Sequence, residues 1–248
     1  MKKFETVDNV VWFAQSATHS GEFKNDLPIS EELREELLKE VYNDFVKEIV
    51  GTHFQYFQEN TQEFMDEHQI PKDKKHSLEH NLFWWKVLYQ ASNGIEILFV
   101  QEYIAKNYSV LKHKPLIISW LKKWEEATTK FYYVGYKYND RTLVLIDMLT
   151  EETLDVVVYD RNATPPKKGE IVVGTLLPIG DALYFPILDF YHFDYQARAH
   201  IATLLPHYYD RHKKNSTEQE AFIHVLSTLL QVERMIREEK EESIDIKN

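Results

Sequence analysis

The chain has 248 residues, 44% hydrophobic and 14% aromatic, with a net charge of −11 and no cysteine. This composition supplies a sizeable core and argues against disorder. The missing cysteine excludes disulfides, thiolate zinc sites and a cysteine nucleophile, and it fits a reducing compartment.

The N-terminal MKKFETVDNVVWFAQ has no apolar run of signal-peptide length, because Glu5, Asp8 and Asn9 interrupt it. No window approaches the roughly 18–20 apolar residues of a membrane span. A cytoplasmic protein without membrane contact is therefore expected. Residues 1–129 carry a net −6, residues 130–195 a net −4 and residues 196–248 a net −1. No block is basic, so the charge argues against a general nucleic-acid binder. The densest basic group, Lys112, His113, Lys114, Lys122 and Lys123, reads as a solvated helix face.

In chain order, residues 4–16 suit a short amphipathic helix and residues 18–28 a loop. Ser30 has the character of an N-cap, followed by two glutamates that complement the helix dipole. Leu33, Leu37, Val41, Phe45 and Ile49 then recur every four residues as a packing stripe, which continues towards Gln69. Such a helix would exceed a compact domain in length, so a break or bend is expected near Gly51. The charged run Pro71–Lys75 reads as a connector, with a second helix beginning near His76 and interrupted at Asn93-Gly94. Pro115 is placed to open a further helix over Leu116–Ala127.

The stretch Lys130–Asp194 differs from the rest. It contains five runs rich in β-formers: Phe131–Tyr138, Thr142–Met148, Leu154–Tyr159, Glu170–Leu176 and Ala182–Leu188. The second run is apolar on both faces, so the sheet is expected to be covered on both sides. The last block reads as helix up to Pro206, a charged turn, then a helix opened by a capping box at Ser216-Thr-Glu-Gln219, with a charged tail from Glu238.

The sharpest chemical motif is His76-Ser-Leu-Glu79-His80. It fits the H-x-x-E-H pattern of inverted zinc peptidases, in which two histidines four apart share a metal and the glutamate polarises its water. Two ordinary helix-face histidines are the blander reading and the one adopted. His53 and His68 would join the pair only if the two long helices pack antiparallel around Pro71. No G-x-S-x-G elbow and no glycine-rich phosphate loop occurs. Asp147, Glu151, Asp181 and Asp189 read as solvated charges at strand ends. Phe131, Tyr132, Tyr133, Tyr136 and Tyr138 have the spacing of a stacking platform, but packing is the expected use in an acidic block.

At Asp147-Met-Leu-Thr-Glu-Glu, and over the run Pro166-Lys-Lys-Gly-Glu-Ile-Val-Val-Gly-Thr-Leu-Leu-Pro178, the chain resembles a small barrel of uncharacterised bacterial proteins. Some of those proteins end in a cysteine-rich SEC-C zinc motif. With no cysteine here, the zinc function does not transfer. The resemblance implies the barrel and a bacterial origin, and no activity.

The expected architecture is α+β. A helical block over 1–129 is followed by a five-stranded small β-barrel, SH3-like or OB-like, over 130–194, and by C-terminal helices over 195–248 that pack on the rest. The expected function is a non-enzymatic binding or adaptor protein with a protein partner. No catalytic residue, cofactor or metal ligand is assigned. The alternatives are a metal-dependent hydrolase using His76, Glu79 and His80, and a nucleic-acid contact through the barrel.

Overall fold

The computed structural model describes residues 21–92 and 99–245. The helix expected at 4–16, the interruption at Asn93-Gly94 and the last residues of the tail lie outside that range. Among the described residues, eight α-helices and six strands follow in the order α1 (Glu31–Glu35), a π-helical segment (Glu36–Tyr42), α2 (Asn43–Glu67), α3 (Lys72–Ser92), α4 (Phe99–Lys106), α5 (Tyr108–Leu111), α6 (Pro115–Glu126), β1 (Thr129–Lys137), β2 (Thr142–Asp147), β3 (Thr153–Val157), β4 (Ile171–Gly180), β5 (Leu183–Pro186), β6 (Tyr191–His192), α7 (Arg198–Lys213) and α8 (Glu218–Asp245).

The five expected strands close on themselves. β1 pairs antiparallel with β2 and β4, β2 with β3, and β4 with β5, while β3 and β5 pair parallel. The closed order β1-β2-β3-β5-β4 with one parallel pair is the Greek-key order of an OB-type barrel. The short β6, not expected from the sequence, adds to the free part of β4 through Val172–His192 and Val173–Tyr191.

Alternation along β1 and β4 sorts the side chains between three apolar clusters. Tyr132, Val134, Val172 and Leu176 turn inward and fill the barrel with Leu143, Leu145, Val156 and Phe190. Phe131, Ile171 and Val173 turn outward to meet α3, α7 and α8. Leu177 and Ile179 face the helical block of α1–α6. β4 is consequently buried along nearly its whole length. The strand expected to be covered on both faces, β2, is not: Leu143 and Leu145 are buried, whereas Val144 and Ile146 remain half-exposed. Gly174 is the inward position where β4 cannot carry a side chain, since a Cβ there would lie 2.5 Å from the Phe190 ring.

The helical block behaves as its stripe predicts, with corrections at the ends. Ser30 caps α1, its Oγ accepting from Leu33 N at 3.2 Å, and Leu33, Leu37, Phe45 and Ile49 are at most 3% exposed. The helix does not break at Gly51. Gly51 is exposed and costs only helix propensity, and the departure from regularity is the earlier π-helical segment. Pro71 is not the start of a connector. Its carbonyl accepts from Lys74 and Lys75, so the lysines form the first turn of α3. α7 runs through Pro206 to Lys213, with the proline on an exposed face. The capping box sits one residue later than expected: Thr217 Oγ1 accepts from Glu220 N at 3.2 Å and Glu220 Oε2 accepts from Thr217 N at 2.9 Å. α8 continues past Glu238 to Asp245.

Three tryptophans centre the first cluster. Trp124 touches Tyr42, Phe45, Trp84 and Trp120 at ring separations between 4.8 and 5.9 Å. Trp120 Nε1 donates to Pro178 O at 2.8 Å, pinning α6 to β4. Trp124 Nε1 is buried with no acceptor. The two rings therefore differ in what a phenylalanine removes. Trp120→Phe leaves the half-buried Pro178 carbonyl without that donor and is expected to cost about 1 kcal/mol more than Trp124→Phe, which deletes an unpaired N–H. Urea unfolding of the two variants side by side checks the difference.

Candidate functional site

Three places in the fold gather chemistry-bearing side chains. The first is a polar cleft of about 510 Å³ between the start of α3 and the rim of the barrel. His192, on the edge strand β6, presents Nδ1 to Glu170 Oε2 at 3.1 Å. The same carboxylate oxygen accepts from Lys167 N at 2.7 Å. The other ring nitrogen, Nε2, lies 3.9 Å from Asp189 Oδ1, too far for a hydrogen bond, and neither atom has another partner. Burial opposes a charge on His192, but the carboxylates of Asp189 and Glu170 outweigh it and hold the pKa above 6.5. Burial likewise opposes ionisation of Glu170, yet His192 and the Lys167 amide hold its pKa below 4.5.

The floor of this cleft is tied down by a buried ionic network. Glu233 of α8, 2% exposed, accepts from Lys74 Nζ at 2.7 Å, from Asp194 N at 2.6 Å and from Tyr191 Oη at 2.6 Å. Lys74 also donates to Asp194 Oδ1 at 2.6 Å. Burial disfavours the ammonium, but Glu233 and Asp194 more than compensate and raise its pKa.

The second place is the exposed face of α3. His76, Glu79 and His80 each offer a donor atom, and the three atoms lie within 4.8 Å of one another. His80 Nδ1 lies 2.9 Å from His76 O, and its ring stacks on Phe54 of α2 at 5.0 Å. Of the three, only His76 lines the cleft. The wider histidine cluster does not form, although α2 and α3 pack together. His68 is 2% exposed and bridges Phe64 O at 2.8 Å and Ser227 Oγ at 2.7 Å. His53 packs against Phe99.

The third place is a groove of about 640 Å³ where α1 and the π-helical segment face the barrel. The parallel pair of β3 and β5 covers only Asp155–Leu183 and Val156–Tyr184. Beyond it the two strands no longer pair, and residues of both following segments, Val158–Arg161 and Phe185–Leu188, line the groove. Tyr42 stands between them, its hydroxyl donating to Ile187 O. Burial and then the nearby Asp160 push the phenol pKa up to about 12. Tyr159, 40% exposed, packs edge-on against Phe185 at 6.1 Å.

The sequence-level reading of the carboxylates needs two corrections. Asp147 is fully buried: it accepts from Lys130 Nζ at 2.7 Å and from Leu149 N at 2.9 Å, which locks the turn after β2. Asp189 is half-buried and belongs to the cleft. Asp181 is exposed and pairs with Arg34. The aromatic run of β1 divides: Phe131 and Tyr132 are core, whereas Tyr133, Tyr136 and Tyr138 are 39%, 50% and 65% exposed. Nothing in single positions announced Glu170, His192 or Glu233. Only the closure of β4 on β6 and the docking of α8 bring them to one place.

Comparison with protein-family models, curated proteins and solved structures finds no match for this chain.

The Glu170–His192 pair has a defined pH signature. The raised histidine contributes stability that is complete below 6.5 and is lost as pH rises through its folded-state pKa. The lowered glutamate contributes stability that is present above 4.5 and is lost as pH falls through its folded-state pKa. His192→Gln is thus expected to lower the melting temperature most near about pH 5.5 and clearly less near about pH 9. Thermal unfolding of both proteins at the two pH values tests this.

Proposed function

We propose that this is a cytoplasmic, non-enzymatic protein-binding module, and that the groove between the π-helical segment and the parted strands β3 and β5 receives an extended segment of a partner protein. One observation carries the reading: the parallel pairing of β3 and β5 ends after Val156–Tyr184, and the segments that follow each strand line an aromatic groove, where an extended chain can add. Tyr42, Tyr159 and Phe185 supply apolar anchorage. Glu31, Glu35, Asp160 and Asp189 outnumber Arg34, Lys39 and Arg161 in the lining, and with a chain net charge of −11 this favours a segment with basic flanks.

Two alternatives have less support. In a hydrolase built on His76, Glu79 and His80 the three donors would face a substrate cleft, but only His76 does so. An oligonucleotide platform on the barrel would place Tyr133, Tyr136 and Tyr138 in a positive groove, whereas Asp140, Glu151, Glu152 and Asp155 border the same strands. Among the described residues no helix is long and apolar enough to cross a membrane.

Selection from a displayed library of extended peptides tests the groove. Peptides with apolar centres and basic flanks are expected, binding at least about tenfold more weakly to Leu38→Lys and Tyr159→Ala, a loss of about 1.4 kcal/mol or more. Selected peptides that bind both variants as well as wild type, or a selection that yields none, overturn the reading. Capture from nuclease-treated lysate, lost in the same variants, then identifies the natural partner.

A further inference from the structure

His76, Glu79 and His80 occupy one turn of α3, well inside the helix, because that helix begins at Lys72. A turn so placed has settled backbone geometry, and residues at i, i+3 and i+4 share its face. We propose that these three side chains bind a divalent cation of the zinc type, a site separate from the peptide groove.

The donor set selects the class of ion. Two imidazoles and one carboxylate suit Zn²⁺, Co²⁺, Ni²⁺ or Cu²⁺, whereas Ca²⁺ and Mg²⁺ demand mostly oxygen. Three protein donors leave the fourth tetrahedral position to water. The three donor atoms already lie within 4.8 Å of one another. Zinc–ligand bonds near 2.0–2.1 Å require donors about 3.3 Å apart, a closure that the exposed side chain of His76 reaches by rotation.

Several features prepare the site. His80 donates its Nδ1–H to His76 O at 2.9 Å, so the lone pair of Nε2 is the one left for a cation. Phe54 stacks on that ring at 5.0 Å and fixes its plane. Glu79 has no hydrogen-bond or ion-pair partner among the described residues, and its charge is available to a cation. The lysines nearby are already matched: Lys74 by Glu233 and Asp194, and Lys75 by Asp66. Among the described residues this is the single group of three or more such donors. The stacked pair His212 and His224, 5.0 Å apart at the turn between α7 and α8, lacks a third.

The test uses the full-length, untagged protein, stripped with chelator and titrated with Co²⁺ and with Zn²⁺. One equivalent of Co²⁺ is expected to bind with the intense visible absorption of a tetrahedral N/O site, and Zn²⁺ is expected to displace it. His76→Ala and Glu79→Gln alter exposed or half-exposed side chains and should keep the wild-type melting temperature. Each should weaken Zn²⁺ binding at least tenfold, while His224→Ala leaves it unchanged. The proposal falls if wild type takes up no metal at about 1 mM. It falls equally if His76→Ala binds as tightly as wild type, or if His224→Ala abolishes binding.

Discussion

The carboxylate of Glu233 is the constraint on which most of the structure leans. It is 2% exposed, and it takes hydrogen bonds from α3, from β6 and from the backbone just after β6. Taking Lys74 and Glu233 out of water is costly, and replacing a buried ion pair by apolar residues of the same shape is often neutral in free energy. What the ionic version adds is placement. Lys74, in the first turn of α3, meets Glu233 and Asp194 together, and that contact holds the rotation of the turn and hence the face that His76, Glu79 and His80 present. The same contacts hold Asp194 and β6 beside the cleft, so His192 meets Glu170.

Around that anchor the barrel works as a partition. Because β1 and β4 bury both faces over much of their length, each side of the sheet belongs to a different apolar cluster. α1, α4, α5 and α6 pack on one patch of the strands and α7 and α8 on another, while α2 and α3 contribute to both. The barrel rim, where strands end and partners run out, is where polar groups collect. The cleft with His192 and the groove beside Tyr159 both lie there.

Much of this plan is legible from residue order alone. Five strands, the capped helix at Ser30, the packing stripe from Leu33 and the closed sheet follow from periodicity and turn chemistry, which are local. The misplacements are also local in origin. Charged residues at Pro71–Lys75 look like a loop because the sequence hides that Lys74 has two distant partners, 120 and 159 residues away, the second of them buried. Asp147 looks solvated because its neighbours are turn-formers, yet those turn amides are what it binds. The cleft stayed hidden for the same reason: Glu170 and His192 are 22 residues apart and ordinary in isolation. His76, Glu79 and His80 were readable because a single helical turn suffices to gather them.

The separation of Lys74 from Glu233 has a consequence for biosynthesis. At roughly 5–20 residues per second on a ribosome, the 159 residues between them take about 8 to 30 s to emerge. For most of that interval the nascent helix carries an ammonium with neither counter-charge, since Asp194 follows 120 residues later and the buried Glu233 last of all, and its amino end gains little by docking. Docking of that end is thereby deferred until the C-terminal segment arrives, which leaves the earlier helical cluster and the closing of the strands to come first.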